Sequence, residues 1–214
     1  MSLRIPYGAL RRLVYALLLI AAPASAAERD VHVLALGDSL TAGYGLPPGL
    51  GFAPQLQAAL RRNGLRAFVA DAGVSGNTAA QGRARLAWTL AGLRSKPDLA
   101  IVALGANDML RGLPPAQTRA DLDAILAELG RRGIPVLVAG MRAAPNLGAD
   151  YRRDYEAIFP ELSRRHGAAL YPFFLAGVAG NASLALPDGM HPNFRGIKIM
   201  VAGITPTVLK ALGR

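Results

Sequence analysis

The sequence predicts an α/β fold in which helices cover both faces of a five-stranded parallel sheet, a three-layer αβα sandwich. Five short apolar runs begin at positions 31, 66, 99, 135 and 169, intervals typical of repeated βα units. The runs are apolar on both faces, which indicates strands covered on both sides. Chirality favours right-handed crossovers between them, and no composition break divides the chain. We therefore expect one domain.

Each element of this fold has its own local signal. The apolar runs predict strands over 31–36, 66–70, 99–104, 135–139 and 169–173. Helical patterns occupy 52–63, 78–93, 115–132, 151–166 and 194–212. Glycines follow three of these helices, where a left-handed cap residue is favoured: Gly64, Gly133 and Gly167.

The composition excludes several classes of protein. Among the 214 residues, 52% are apolar and 18% are charged, which excludes disorder over most of the chain. The absence of cysteine excludes disulfides, thiolate metal sites and a cysteine nucleophile. With three histidines in all, we expect neither a metal nor a cofactor. The net charge of +10 comes from scattered arginines, so we expect no nucleic-acid partner.

The first 26 residues resemble a bacterial secretory signal peptide. An apolar core occupies 13–22, and the small residues Ala24 and Ala26 follow it at the expected cleavage site. Three arginines precede the core: Arg4, Arg11 and Arg12. A spanning helix needs about 20 apolar residues, so this core is too short for one, although an uncleaved anchor stays an alternative. We expect cleavage after Ala26 or Ala27, and a mature periplasmic domain over 27–214.

Three polar, glycine-containing clusters follow strands, at 37–40, 73–77 and 105–108, and a fourth lies near the end of the chain, at 188–193. In open parallel sheets, ligands bind at the carboxyl ends of the strands. The clusters therefore mark the edge of the sheet where chemistry is expected.

Three residues of these clusters fit a serine-hydrolase triad. A serine is a poor nucleophile until a base takes its proton, and the base needs a carboxylate to orient it. Ser39 follows the first strand, while Asp188 and His191 are three residues apart on one turn. That spacing lets the carboxylate reach one imidazole nitrogen while the other points outward. The sequence predicts Ser39 as nucleophile, His191 as base and Asp188 as its partner.

Acyl transfer also needs donors aimed at the developing oxyanion. We expect them to be the backbone N–H groups of Ser39 and Gly76 and the side-chain amide of Asn107. Asp38 and Asp108 flank these residues and are interpreted as carboxylates that brace loops.

The two other histidines are interpreted as structural. His32 opens the first strand, at the opposite end of the sheet from the expected site. His166 ends a helix directly before Gly167, where a cation suits the helix dipole.

Two loops are expected to wall a groove for an acyl chain. They follow the third and fourth strands, at 109–114 and 141–148, and their side chains are mainly apolar. From them we select Leu110, Leu113 and Leu147 as substrate-binding residues.

The four clusters together resemble the SGNH (GDSL) hydrolase family. The matching blocks are Gly37-Asp38-Ser39-Leu40, Gly76, Gly105-x-Asn107-Asp108 and Asp188-x-x-His191-Pro192-Asn193. Their order and spacing fit over essentially the whole mature chain, and the bacterial thioesterase, lysophospholipase and arylesterase group fits best. Ala106 departs from the pattern, because relatives often carry glycine there.

The resemblance implies a flavodoxin-like sheet and a metal-independent serine esterase. It implies the same roles for Ser39, Asp188 and His191, with Ser39, Gly76 and Asn107 as the oxyanion hole. The expected substrates are small-molecule or lipid esters and thioesters of acyl chains. Two alternatives stay open: a carbohydrate O-acetyl esterase, and a non-catalytic binding protein on the same fold.

Overall fold

A computed structural model describes residues 29–214, so the signal segment predicted over 1–26 lies outside the described residues. Five parallel strands form one sheet in the order β2-β1-β3-β4-β5. Their bounds are β1 (Val31–Gly37), β2 (Ala67–Gly73), β3 (Leu99–Ala103), β4 (Val136–Ala139) and β5 (Ala169–Tyr171). The order reverses direction after β2, which makes β1 and β3 the neighbours at the topological switch point, where ligands bind in such sheets.

Helices cover both faces of the sheet. Those of the described residues are α1 (Ser39–Ala42), α2 (Phe52–Arg62), α3 (Ala79–Ala91), α4 (Ala106–Leu110), α5 (Pro115–Arg131), α6 (Ala149–Glu156), α7 (Ile158–His166) and α8 (Phe194–Ala211). Two 3₁₀ turns lie at Pro145–Leu147 and Ala182–Leu184. Helix α2 packs against α8 in one layer, and α5 packs against α3 and α7 in the other. The predicted three-layer α/β fold is thus confirmed.

The strands differ in how far their neighbours cover them. Strands β3 and β4 are buried throughout and β1 nearly so, as their apolar sequences predict. The edge strands β2 and β5 are largely half-buried, and Phe68 of β2 is 43% exposed. The expectation of full cover on both faces is therefore wrong for these two strands, because the helices that flank the sheet cover its edges less completely than its centre.

The helix predicted over 151–166 is interrupted. The structure ends α6 at Glu156 and begins α7 at Ile158. Pro160 explains the break, because proline has no N–H to donate to the Glu156 carbonyl and its ring crowds that oxygen. The helix after the break ends at Gly167, whose φ of +61° makes it the left-handed cap that the sequence predicts.

Two short helices, α1 and α4, lie directly after β1 and β3 and carry residues of the predicted site. The sequence predicted only polar clusters there. Asp38 caps α1 by accepting a hydrogen bond from the Leu40 N–H, at 3.0 Å. Gly105 precedes α4 with a φ of +111°, a conformation that side-chain-bearing residues rarely adopt.

Candidate active site

The structure brings Ser39, His191 and Asp188 into one hydrogen-bonded line. Ser39 Oγ lies 2.9 Å from His191 Nε2, and His191 Nδ1 lies 2.7 Å from Asp188 Oδ2. Ser39 comes from the start of α1, whereas the other two residues come from the turn before α8. A base within hydrogen-bond reach of a serine hydroxyl, itself held by a carboxylate, is the geometry that activates a serine.

Backbone hydrogen bonds hold the turn that carries this histidine and aspartate. The Leu186 N–H donates to the His191 carbonyl at 2.7 Å, and Ala185 pairs with Pro192 in an antiparallel bridge. Asp188 Oδ1 accepts from the backbone N–H groups of Met190 and His191, both at 2.9 Å. These bonds, together with the imidazole, lower the pKa of Asp188 from 3.8 to about 2. The carboxylate therefore stays ionised and keeps one oxygen on the imidazole.

The tyrosine ring of Tyr44 lies against the imidazole of His191. The two ring centroids are 4.4 Å apart, with an angle of 36° between the planes. Tyr44 is 51% exposed and lines the same cavity as His191. This contact restrains the imidazole, and no sequence pattern indicated it.

Ser39, Gly76 and Asn107, the residues expected to supply oxyanion donors, follow three different strands and line one cavity. Within residues 29–214, neither the Ser39 N–H nor the Gly76 N–H donates to a protein acceptor. Gly76 has a φ of +81°, which glycine adopts without strain. Asn107 Nδ2 donates to the Asn77 carbonyl at 3.0 Å and, over a longer 3.3 Å, to Asp38 Oδ2.

Asp38 and Asp108 are buried and brace the loops, as the sequence predicts. Asp108 accepts from the Ala79 N–H at 2.9 Å and from Thr118 Oγ1 at 3.2 Å, which ties α4 to α3 and α5. Burial raises the pKa of Asp38 from 3.8 to about 6, against the lowering effect of its backbone hydrogen bonds. Burial also raises the pKa of Asp108.

A cavity of about 350 Å³ opens beside Ser39 and His191. Its walls are mostly apolar, and the side chains that form them away from the polar line are Leu40, Tyr44, Met109, Leu110, Met141, Leu175 and Met190. Leu110 thus lies where the sequence predicts. Ala106, which departs from the family pattern, also lines the cavity and is buried.

Leu113 and Leu147 do not line this cavity. The 3₁₀ turn that contains Leu147 packs this side chain against the hydrophobic core. The backbone of Leu113 is held away by its N–H bond to the Asp108 carbonyl and by the hydroxyl of Tyr151, which donates to its carbonyl. Assigning these two leucines to the cavity wall is therefore wrong, although Met109, Leu110 and Met141 of the same two loops do line the cavity.

Several residues of the site were not found from the sequence. Leu175 and Met190 line the cavity from the segment after β5 and from the Asp188–His191 turn. Both lie beside a strand end or a motif, so position alone could have suggested them. Arg111 donates from Nη2 to the Gly76 carbonyl at 2.7 Å, and no sequence pattern indicated that contact.

The other two histidines lie away from the site. The imidazole of His32 stacks on the ring of Phe68, with centroids 5.5 Å apart. His166 ends α7, and its Nε2 lies 2.6 Å from Oδ1 of Asp123 in α5. No group of three or more histidine, aspartate or glutamate side chains in the part of the chain described is arranged to hold a metal ion.

Comparison with known proteins agrees with this geometry. The model of the GDSL-like lipase/acylhydrolase family matches residues 35–199, from β1 into α8. The chain belongs to this family. The match includes Ser39, Gly76, Asn107, Asp188 and His191. As a member of this family, the chain is a hydrolase. Its similarity to relatives named as esterases identifies it as a serine esterase.

Three relatives illustrate the similarity. Esterase TesA of Pseudomonas aeruginosa is 35% identical over 176 residues, covering 82% of this chain and 87% of the relative. The thioesterase 1/protease 1/lysophospholipase L1 of Escherichia coli K12 is 34% identical over 161 residues, or 75% of each chain. AlinE4, an SGNH-hydrolase family esterase of known crystal structure, is 48% identical in sequence to this chain. The two structures match with a TM-score of 0.74 over 86% of this chain and 97% of AlinE4.

Proposed function

We propose that this GDSL-family esterase hydrolyses carboxylic esters and thioesters of acyl chains through an acyl-enzyme on Ser39. The observation that carries the proposal is the Ser39–His191–Asp188 line, with separations of 2.9 Å and 2.7 Å, at the mouth of an apolar cavity. The relatives named thioesterase, lysophospholipase and esterase support this substrate class.

In the first half-reaction, His191 Nε2 takes the Ser39 proton while Oγ attacks the acyl carbon. The carbonyl oxygen becomes an oxyanion, which the N–H groups of Ser39 and Gly76 and the Asn107 amide stabilise. In this step one Asn107 amide proton exchanges its long 3.3 Å bond to Asp38 for a bond to the oxyanion. The bond to the leaving oxygen or sulfur then breaks, and His191 returns its proton to the departing alcohol or thiol.

In the second half-reaction, His191 takes a proton from a water molecule, which attacks the acyl carbon of the ester on Ser39. The same three donors stabilise the second oxyanion. The bond to Oγ breaks, His191 returns the proton to Ser39, and a carboxylic acid leaves. Asp188 stays ionised throughout and stabilises the imidazolium that forms in each half-reaction.

A series of p-nitrophenyl esters from acetate to palmitate tests the substrate class. Each methylene buried in the apolar cavity contributes roughly 0.8 kcal/mol, so kcat/KM should rise from acetate to medium chains and then level off. Ser39→Ala, which should abolish hydrolysis of every ester, is the control. A preference for acetate with no gain from longer chains would instead favour an O-acetyl esterase of carbohydrates.

We also propose that residues 1–26 are a signal peptide and that the esterase acts in the periplasm. The charged start, apolar core and small residues around Ala26 support this proposal. Among residues 29–214, none of the helices combines the length and apolar character needed to cross a membrane. Amino-terminal sequencing of the protein from a periplasmic fraction should begin at Ala27 or Glu28; an intact Met1 end would contradict the proposal.

A further inference from the structure

The side chain of Arg85, in α3, donates hydrogen bonds to three acceptors: one at the end of β1, one at the end of β2 and one in the loop after β2. Its Nε donates to the side-chain oxygen of Asn77 at 2.7 Å. Its Nη2 donates to the Gly37 carbonyl at 2.9 Å and to the Ala72 carbonyl at 2.8 Å. One guanidinium therefore joins the end of β1, the end of β2 and the loop that follows β2.

Two of these acceptors, on Gly37 and Asn77, lie within two residues of a donor of the proposed oxyanion hole. Gly37 ends β1 and directly precedes Asp38 and Ser39, and Asn77 directly follows Gly76. The backbone carbonyl of Asn77 accepts from the Asn107 side chain at 3.0 Å. Ser39 thus lies two residues after an Arg85 contact, and Gly76 lies one residue before another. Asn107 is joined to the second contact, Asn77, by one hydrogen bond.

The surroundings of Arg85 are unusual for a cation. Burial lowers the pKa of Arg85, and the charge of Asp71 opposes that effect. Its hydrogen bonds go to carbonyl and amide oxygens rather than to a carboxylate. A half-buried guanidinium is held here by neutral acceptors that all belong to the framework of the site, which is the arrangement expected of a cross-link.

We propose that Arg85 is a positioning residue for the oxyanion hole. It holds the end of β1, the end of β2 and Asn77 at fixed separations, and so fixes the three donors relative to one another. The proposal rests on the proposed roles of Ser39, Gly76 and Asn107. A planar guanidinium with donors in a rigid fork can make these contacts at once, whereas the point charge of lysine cannot.

The test compares kcat and KM of purified Arg85→Ala and Arg85→Lys on a p-nitrophenyl ester. A donor displaced by a fraction of an ångström stabilises the oxyanion less, so kcat should fall on the order of 10- to 100-fold with little change in KM. Lysine should not restore kcat, because the cross-link depends on geometry rather than charge. Millimolar guanidinium chloride should partly restore kcat of Arg85→Ala by occupying the vacated space.

Arg83 offers a matched control on the same helix. Its Nη1 pairs with Asp121 of α5 at 3.1 Å, its side chain is 57% exposed, and neither residue lines the cavity. Arg83→Ala should keep the wild-type kcat and should not respond to guanidinium. Unchanged kcat in Arg85→Ala, or equal losses in Arg83→Ala and Arg85→Ala, would overturn the proposal.

Asn77→Ala provides a second route to the same answer, even if Arg85→Ala does not fold. It removes the side-chain oxygen that Arg85 Nε contacts but keeps the backbone carbonyl that holds Asn107. Its kcat should fall at constant KM, and in the double variant the two losses should be less than additive. Wild-type kcat in Asn77→Ala would overturn the proposal. Activity surviving in Ser39→Ala would instead refute the proposed function, which distinguishes the two failures.

Discussion

Two aspartates of the site have opposite environments. Asp188 accepts two backbone N–H bonds and the imidazole, which lower its pKa to about 2. Asp38, which directly precedes Ser39, is buried, and desolvation raises its pKa to about 6 despite the hydrogen bond from Leu40. The carboxylate of Asp188 is thus held ionised by its hydrogen bonds, whereas that of Asp38 is ionised at neutral pH against the effect of burial.

Asp38→Asn should change how stability depends on pH. In the wild type, the unfolded chain ionises this carboxyl near pH 3.8, whereas the folded chain does so near pH 6. Rising pH across that window therefore destabilises the fold, by about 3 kcal/mol in all. The variant lacks this loss, so its free energy of unfolding relative to wild type should increase from about pH 3.5 to about pH 7.5. Urea unfolding at both pH values measures the difference; a constant difference would contradict it.

The rate should rise with pH as imidazole loses its proton, because only neutral imidazole accepts from Ser39. Since the pKa of Asp188 is about 2, its ionisation does not contribute to this rise of the rate with pH. A profile of kcat/KM against pH should therefore increase with pH and then reach a plateau. The Asp38→Asn variant should show the same rise of kcat/KM with pH, at a lower overall rate. If the rise disappears in that variant, Asp38 rather than His191 controls it.

Asn107→Ala should lower kcat while substrate binding is retained. Loss of one oxyanion donor reduces the rate on the order of 10²–10³-fold, equivalent to about 3 to 4 kcal/mol. Steady-state kinetics on one ester measure the effect. Should KM alone rise while kcat holds, Asn107 would be a binding residue instead.

At the scale of elements, short segments at the carboxyl ends of the strands decide which side chains reach the substrate. Helix α4 ends at Leu110, which lines the cavity and is 52% exposed. Leu113 lies three residues further along, after the chain has turned, and does not line the cavity. Three residues beyond the end of α4 therefore separate a wall residue from a framework residue.

Leu110→Ser should reduce specificity for long acyl chains. It removes apolar surface from the cavity wall, so kcat/KM for octanoate esters should fall several-fold more than for acetate. Leu113→Ser is the matched control and should leave the octanoate-to-acetate ratio unchanged. An equal loss on both esters in Leu110→Ser would show that this side chain does not contact the acyl chain.

At the scale of the molecule, the sequence predicted what depends on local periodicity. The five strands and the three layers follow from apolar runs and helical stripes, and the break at Pro160 could also have been deduced from its missing N–H. Helices α1 and α4 were missed because one turn has no period to detect. The packing of Leu147 against the core and the bond from Arg85 to Gly37, 48 residues apart, depend on tertiary packing, so no local pattern indicated them.

The candidate site was predictable for a related reason. The carboxyl ends of parallel strands meet at one edge, so polar clusters after β1, β2 and β3 had to lie together. The distances between the site residues could not be predicted from the sequence. The 2.9 Å from Ser39 to His191 depends on the turn before α8 packing against the start of α1, 152 residues away in the chain.

Covalent labelling with a p-nitrophenyl alkylphosphonate tests the central claim most directly, because the reagent reacts with a serine activated by a base. The account predicts one adduct per chain, located on Ser39 by peptide mapping, with loss of activity in proportion to labelling. Ser39→Ala should take up no label and His191→Ala should react far more slowly, since nothing removes the hydroxyl proton. An adduct on another residue, or full labelling of His191→Ala, would contradict the account.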